Sequence, residues 1–346
     1  MLQVKFHSVH LLTFTILLFS LPAFSAQAVQ APLFEDDSPI EIELTGPMWS
    51  LVDQREEQKE WPFRLKTQTF ELDVQVKARG NSRLRVCAFP PLRLNFKKSQ
   101  VAGTLFEGQN KLKLVTPCKK SDRSRADVME EYAAYRIFSL LTDVSYRVRL
   151  VNISYNDTDG RLNEKFGQSY GFLIEPVDQL VARVGGSLTE IPAVSLGSID
   201  EEQAALLYVY QYLIANTDWS FVAPESDESC CHNVRLIKIG DKQSPVPYDF
   251  DLAGLVNASY AHPDPSLRIK KVTMRLYRGF CSDPDVLRSA LTEITSKEDE
   301  VNGVINNLPQ LTDKEKMQRI SYLDRFFKKA NDKDQIIRSF EKRCLQ

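Results

Sequence analysis

Histidine is scarce: the 346 residues contain four, and two of them, His7 and His10, fall in a leading segment expected to be removed. Only His232 and His262 remain, which excludes a histidine-rich metal site. No Cys-x-x-Cys pair exists either, so a zinc site could draw only on scattered cysteines around His232. Without a Gly-x-Ser-x-Gly the chain lacks the elbow of a serine hydrolase, and without a Gly-x-Gly-x-x-Gly it lacks a glycine-rich nucleotide-covering loop. Charge of one sign is missing as well. There are 44 Lys+Arg against 46 Asp+Glu, a net charge of -2, and no basic stretch, which argues against nucleic acid as a partner. Repeats and Gly/Ser- or Pro-rich linkers are absent. What is present, 43% hydrophobic and 26% charged residues, is the balance of a globular protein.

Residues 1–28 read as a cleaved secretory signal. A short front with Lys5 precedes the apolar run Leu11 to Leu21, and small residues follow in Ala-x-Ser and Ala-x-Ala spacing at Ala23/Ser25 and Ala26/Ala28. The run is shorter than the roughly 20 residues of a membrane span, so no transmembrane anchor is expected after cleavage. A secreted or periplasmic location follows. In such an oxidising compartment the six cysteines read as disulfides. Cys87 and Cys118 flank a strand-rich stretch and could staple it; Cys281 and Cys344 bracket the C-terminal helices and could tie them down. Cys230 and Cys231 are then a vicinal bridge or two thiols.

From about 40 to 115 apolar residues alternate with period two, at Ile40–Leu44, Phe70–Val76, Leu92–Phe96 and Lys111–Val115, which predicts an antiparallel sheet with one solvated face. Lys77–Ser82 reads as a turn. The spacing changes to helical over 127–141. Two more strands follow, Tyr146–Tyr155 and Tyr170–Glu175. Ser198-Ile199-Asp200-Glu201 is a plausible capping box for a helix to about Asn216, and Thr312-Asp313-Lys314-Glu315 caps another through Ala330. A short strand is expected around Val234–Ile239, and everything after about 283 looks helical. The fold class is α+β, with a β-rich N-terminal region and a mostly helical C-terminal one.

Acids supply the candidate chemistry. Asp218 follows a helix and enters a loop; Asn233 comes fifteen residues later; Asp249-Phe250-Asp251 closes the set. In an extended run Asp249 and Asp251 share a face, where they repel unless a cation or an Arg/Lys lies between them. Oxygen donors of this kind suit Mg2+ or Mn2+ carrying phosphate. The alternative reading is of turn residues and surface acids.

With these motifs in this order the chain resembles the spore-coat protein H (CotH) kinase family, a secreted branch of the protein-kinase-like fold, over about residues 76–260. Its anchors are Arg79-Gly80-Asn81-Ser82, the strands Leu92–Phe96 and Lys111–Val115, the helix at 127–141, Tyr170–Glu175, Asn216-Thr217-Asp218-Trp219, His232-Asn233 and Tyr248-Asp249-Phe250-Asp251. The resemblance implies a two-lobed kinase-like fold, with a β-rich N-lobe at 29–175 and a mostly helical C-lobe at 176–346. It implies that Asp218 is the catalytic aspartate, that Asn233 and Asp249 hold the metal with Asp251 as companion, and that ATP is the nucleotide. Lys113 is the choice for the phosphate-contacting lysine, with Lys111, Arg93 and Lys97 as rivals. Glu131, or Glu130 beside it, would pair with that lysine, and Arg79 would approach phosphate from its turn. The acceptor would be a hydroxyl on an exported protein or cell-envelope polymer. The competing class is a non-catalytic envelope or coat protein that keeps the fold for binding.

Overall fold

The computed structural model describes Met1 and residues 32–162, 167–188, 194–221 and 230–346; apart from Met1, the expected signal segment lies outside the described residues. Seven strands form a closed barrel in the order β1-β2-β3-β4-β5-β7-β6: β1 (Ile40–Gly46), β2 (Trp61–Lys66), β3 (Glu71–Ala78), β4 (Leu92–Phe96), β5 (Lys111–Val115), β6 (Val148–Asp157) and β7 (Gln168–Ile174). The period-two alternation turns Ile40, Ile42 and Leu44 of β1 and Leu72, Val74 and Val76 of β3 inward, where they are buried. Neighbours pair antiparallel except at the seam, where β1 runs parallel to β6 with Leu44 opposite Tyr155. The expected antiparallel sheet closes into a barrel through this parallel seam, which joins strands about a hundred residues apart, and alternation within a strand does not encode its partner.

Short helices decorate the barrel: α1 (Met48–Asp53), α2 (Ser82–Val86) and α3 (Lys98–Val101). Helix α4 (Asp122–Leu141) connects β5 to β6 and packs on β6 and β7. It starts five residues before the apolar periodicity because Ser121 accepts a hydrogen bond from the Ser124 backbone N–H, and the polar first turn conceals the start. After α5 (Val177–Arg183) comes a small sheet in the order β10-β9-β8, with β8 (Ser187–Leu188), β9 (Val234–Ile239) and β10 (Lys242–Pro247). Between them α6 (Glu201–Leu213) is buried nearly all round. Its cap is Asp200, which accepts from the Gln203 N–H, and not the expected Ser198. The chain ends in α7 (Pro284–Ser296), α8 (Glu298–Asn306), α9 (Asp313–Ala330) and α10 (Lys333–Glu341). Thr312 and Glu315 form the expected capping box of α9.

The buried apolar residues fall into two clusters. One fills the barrel; the other joins α4 to α6, the small sheet and the C-terminal helices. Three disulfides pair Cys87 with Cys118, Cys230 with Cys231, and Cys281 with Cys344. Among the described residues no helix is long and apolar enough to cross a membrane.

Candidate functional site

Three pieces of backbone converge. At the barrel's edge, the Arg79 N–H still pairs with the Pro91 carbonyl at 2.9 Å, extending the β3–β4 ladder by one residue. Gly80 then takes φ +102°, a conformation that a side chain would strain, and turns the chain into α2. Cys87 closes that helix and is bridged to Cys118, three residues past β5, so α2 is fixed at both ends.

Arg83 stands on α2 and is buried. Its Nε donates to Asp251 Oδ2 at 2.8 Å, and its Nη2 donates to Asp249 Oδ1 at 2.9 Å and to Glu131 Oε1 at 3.1 Å. Three carboxylates from α4 and from the segment after β10 therefore share one guanidinium. Three negative charges around one positive charge cannot all persist away from water, so protons are retained. Burial first, then the neighbouring acids, pushes Glu131 up to about 8 against the Arg83 charge. Asp251 is raised for the same reason; its Oδ2 also accepts from the Tyr260 hydroxyl at 3.0 Å.

The segment carrying these acids is not an extended strand. Asp249 has φ +61°, in the left-handed region, which corrects the expected strand geometry. The turn is held by its centre: Phe250 is fully buried between Tyr135, with ring centroids at 4.7 Å, and Tyr210 at 5.8 Å. The Asp249 N–H donates to the Tyr135 hydroxyl oxygen at 2.9 Å. Both carboxylates still reach one cation, because the cation comes to them. Just beyond, the Gly254 N–H bonds the Ala215 carbonyl at 3.0 Å, and a Cβ at Gly254 would lie 2.9 Å from the Ala215 Cβ. That close approach brings the turn against the loop after α6.

Asp218 stands on that loop. Its N–H bonds Asn216 Oδ1 at 3.0 Å; its Oδ2 accepts from Asn233 Nδ2 at 2.9 Å, and its Oδ1 lies 2.9 Å from His232 Nε2. Asn233 Nδ2 also donates to the Asp218 carbonyl at 2.8 Å, while the Asn233 carbonyl accepts from the Tyr248 N–H at 3.1 Å, joining the two acidic segments. The hydrogen bond to Asp218 raises the His232 pKa above its ordinary 6.5. A cleft of about 330 Å³ opens beside the pair, lined also by His262, Asp264 and Arg278.

Lys113 and Arg79 face Asp249 from the barrel side. The Lys113 Nζ lies 5.4 Å from the centre of the Tyr248 ring. Desolvation, then the Arg79 charge, lowers its pKa to about 8, an effect that its solvent-exposed surface moderates. Arg79 is also lowered by burial, and among the described residues its guanidinium makes no hydrogen bond or ion pair. Glu131 pairs with Arg83, which corrects the expected Glu131–Lys113 pair. Glu130 is engaged elsewhere, by Arg123 and Arg319. Arg275 donates to the Leu213 and Tyr322 carbonyls and is structural. Arg83 itself escapes sequence reasoning, although it stands one residue past the Arg79–Ser82 turn and the acids across from it demand a cation. Tyr135 and His232 are likewise missing from the expected set.

Among the described residues no group of three or more His, Cys, Asp or Glu side chains is arranged to hold a metal ion. A protein cage is therefore not built, but Mg2+ ordinarily uses one or two protein ligands and fills its other positions with water and phosphate oxygens. Asp249 keeps one oxygen clear of Arg83, and Asn233 keeps its amide oxygen. Asp251 and Asp218 already have their partners.

Two expected outcomes follow from the protonation pattern. A carboxyl raised in the folded state binds protons that the unfolded chain releases, so stability falls as pH rises from about 4.5 to about 8. Glu131→Gln should flatten the pH–stability curve over that window, which urea unfolding at several pH values checks. For His232 the sign is also downward. A raised histidine stabilises fully below the unfolded value of about 6.5, and the effect disappears as pH rises through the folded value. With both groups substantially exposed, His232→Gln should cost no more than about 1 kcal/mol at acid pH and nothing well above the folded pKa.

No family model matches the chain, and no curated protein matches it in sequence. Among solved structures, the crystal structure of a Helicobacter pylori proinflammatory kinase, CtkA, is similar at 12% sequence identity and a TM-score of 0.39, covering 77% of this chain and 94% of that one. A superposition this loose carries no assignment of fold or activity.

Proposed function

We propose that the chain is a secreted, kinase-like protein of two lobes, 29–175 and 176–346, that binds ATP with Mg2+ or Mn2+ and transfers its phosphoryl group, or its nucleotidyl group, to a hydroxyl of an exported protein or envelope polymer. The observation that carries the reading is the hydrogen-bonded joining of Asp218 and Asn233 to the segment of Asp249, with the cations Arg79 and Lys113 near enough to feel the Asp249 charge. Cations without carboxylate partners beside a carboxylate with a free oxygen suit a triphosphate and its metal. Asp249 and Asn233 would hold the ion, which neutralises phosphate charge when bound. Arg79 and Lys113 contact phosphate oxygens. Arg83 and Glu131 position Asp249, with Asp251 as the fixed partner of Arg83.

Asp218 orients the acceptor hydroxyl and takes its proton, and the cleft of about 330 Å³ beside it admits the acceptor. His232 keeps the Asp218 carboxylate aimed. Below the raised His232 pKa the imidazolium neutralises Asp218 and weakens it as a base, so transfer should fall toward acid pH.

The test is transfer from γ-labelled ATP (phosphoryl) and from α-labelled ATP (nucleotidyl) to envelope polymers and exported proteins by the oxidised protein, beside Asp218→Asn. Removing a general base is expected to cost about 10²–10⁴ in rate, with nucleotide binding retained. An Asp218→Asn protein as active as wild type overturns the catalytic assignment. The non-catalytic alternative draws on one feature, the Arg83 guanidinium lying where a second cation would bridge Asp249 and Asp251; it expects no transfer by either protein.

A further inference from the structure

The cleft beside Asp218 has a cation in its wall that no acid holds. Arg278 is half-buried, and its Nη1 donates to the Thr217 carbonyl, which ties the guanidinium to the residue next to the proposed base. Burial lowers its pKa, and Asp264 and Asp218 oppose that through space. Among the described residues, however, no carboxylate lies within ion-pair distance of it, and its Nε and Nη2 make no hydrogen bond. A guanidinium that has lost part of its water without gaining a carboxylate favours an anionic visitor. The neighbouring loop is cationic as well. His262 and Asp264 line the cleft at one end of it and Val272 at the other, and between them the chain carries Arg268, Lys270 and Lys271. All three are exposed and, among the described residues, without an ion pair. Leaving aside the structural Arg275, Asp264 is the one acid of residues 252–280 against these three cations and Arg278. Its carboxylate serves its own loop, accepting the Ser266 N–H at 2.8 Å. Met274 is exposed in the same stretch, its N–H bonded to the Lys271 carbonyl at 3.0 Å.

We propose that this cleft selects an acidic polypeptide, in which a Ser or Thr hydroxyl meets Asp218 while neighbouring Asp or Glu side chains meet Arg278 and the cations of the 264–272 loop. The inference rests on Asp218 being the base that takes the acceptor proton, and it narrows the acceptor to one class. It concerns what binds, not which group of ATP is passed on. With Nη1 committed to Thr217, the Nε–Nη2 edge of Arg278 is left for a carboxylate, and that edge offers two parallel donors. Arg268, Lys270 and Lys271 are exposed, so they add attraction and steering rather than a fixed geometry. Met274 offers an apolar contact that a polypeptide can use and a phosphate polymer cannot.

The probe is a short labelled peptide with a single Ser between Glu residues. The same peptide with Gln or Lys in place of Glu is the control, and inorganic polyphosphate is the rival anion. Binding to the oxidised protein is followed by fluorescence anisotropy without nucleotide, and transfer from ATP is measured separately. The Glu peptide is expected to bind saturably, about tenfold tighter than the Gln peptide, and to weaken several-fold as salt rises from about 0.05 M to about 0.5 M. Arg278→Gln should weaken it about tenfold, the size of one charge-assisted contact. That change also removes the bond to Thr217, so a second variant, Arg268→Ser with Lys270→Ser and Lys271→Ser, tests the exposed cations alone. It should weaken the Glu peptide several-fold while leaving the Gln peptide and the melting temperature unchanged. Equal affinity for the Glu and Gln peptides, or wild-type affinity for the Glu peptide in either variant, overturns the proposal even where transfer to another acceptor is found. Polyphosphate that binds more tightly than the Glu peptide and is lost in the same variants overturns it too, by assigning the cations to a phosphate polymer. Arg278-dependent binding of the Glu peptide with no transfer from ATP supports the surface and counts against the catalytic reading instead.

Discussion

Arg83→Met should lower the unfolding free energy by about 3–5 kcal/mol near neutral pH, the cost of leaving buried charge without its partner. Wild-type Arg83 serves Asp251, Asp249 and Glu131 at once, and Glu131 and Asp251 have almost no contact with water. Methionine fills much of the same volume, so the loss reports electrostatics more than packing. The deficit should be pH-dependent. Without the guanidinium the two buried acids stay protonated to still higher pH, so the variant loses ground to wild type as pH rises and regains it as pH falls toward about 5. Arg83→Lys should recover only part, because an ammonium is a point charge that cannot reproduce the two-sided contact of Nε with Asp251 and Nη2 with Asp249. Urea unfolding across pH checks this; a loss below about 1 kcal/mol with no pH dependence would mean that the acids do not depend on Arg83.

The second large effect concerns the C-terminal clasp. Cys281 and Cys344 close a loop with a sequence separation of 63, and removing such a cross-link releases about 4 kcal/mol of loop entropy to the unfolded chain. Native contacts already hold the two ends in place. Cys281 N–H bonds the Leu345 carbonyl and Leu345 N–H bonds the Gly279 carbonyl, each at 3.0 Å, while the Tyr277 and Phe340 rings stack at 4.1 Å. The Cys281→Ser, Cys344→Ser double variant should therefore keep the native fold but unfold at markedly lower denaturant. Reduced wild type should match it in that region. An unchanged midpoint would show that these contacts fix the ends in the unfolded ensemble too.

How much of this was legible in the sequence depends on whether the signal is local. Strands β1 and β3 to β5 show their alternation directly, and Thr312 with Glu315 marks the start of α9. Strand β2 does not stand out, because Pro62 interrupts its pattern at Trp61-Pro62-Phe63. The parallel seam of β1 with β6 joins residues that no periodicity connects. Helix α2, five residues long, is too short to show a helical period.

The candidate site divides in the same way. Asp218, Asn233 and Asp249 stand out as oxygen donors in loops, and the structure brings them together through Tyr248 and Asn233. Arg83 could be sought only by asking what neutralises acids 48, 166 and 168 positions away. The extended reading of Asp249–Asp251 failed because a left-handed φ at Asp249 has no signature that distinguishes it from a strand residue.

Calorimetric titration of ATP into the oxidised protein, with and without Mn2+ and beside Asp249→Ala, tests the central claim most directly. The account predicts metal-dependent binding by wild type and its loss in Asp249→Ala, where the backbone bond of residue 249 to the Tyr135 hydroxyl and the Arg83–Asp251 pair leave the turn in place. Absence of nucleotide binding by the folded wild-type protein, with or without metal, would contradict it.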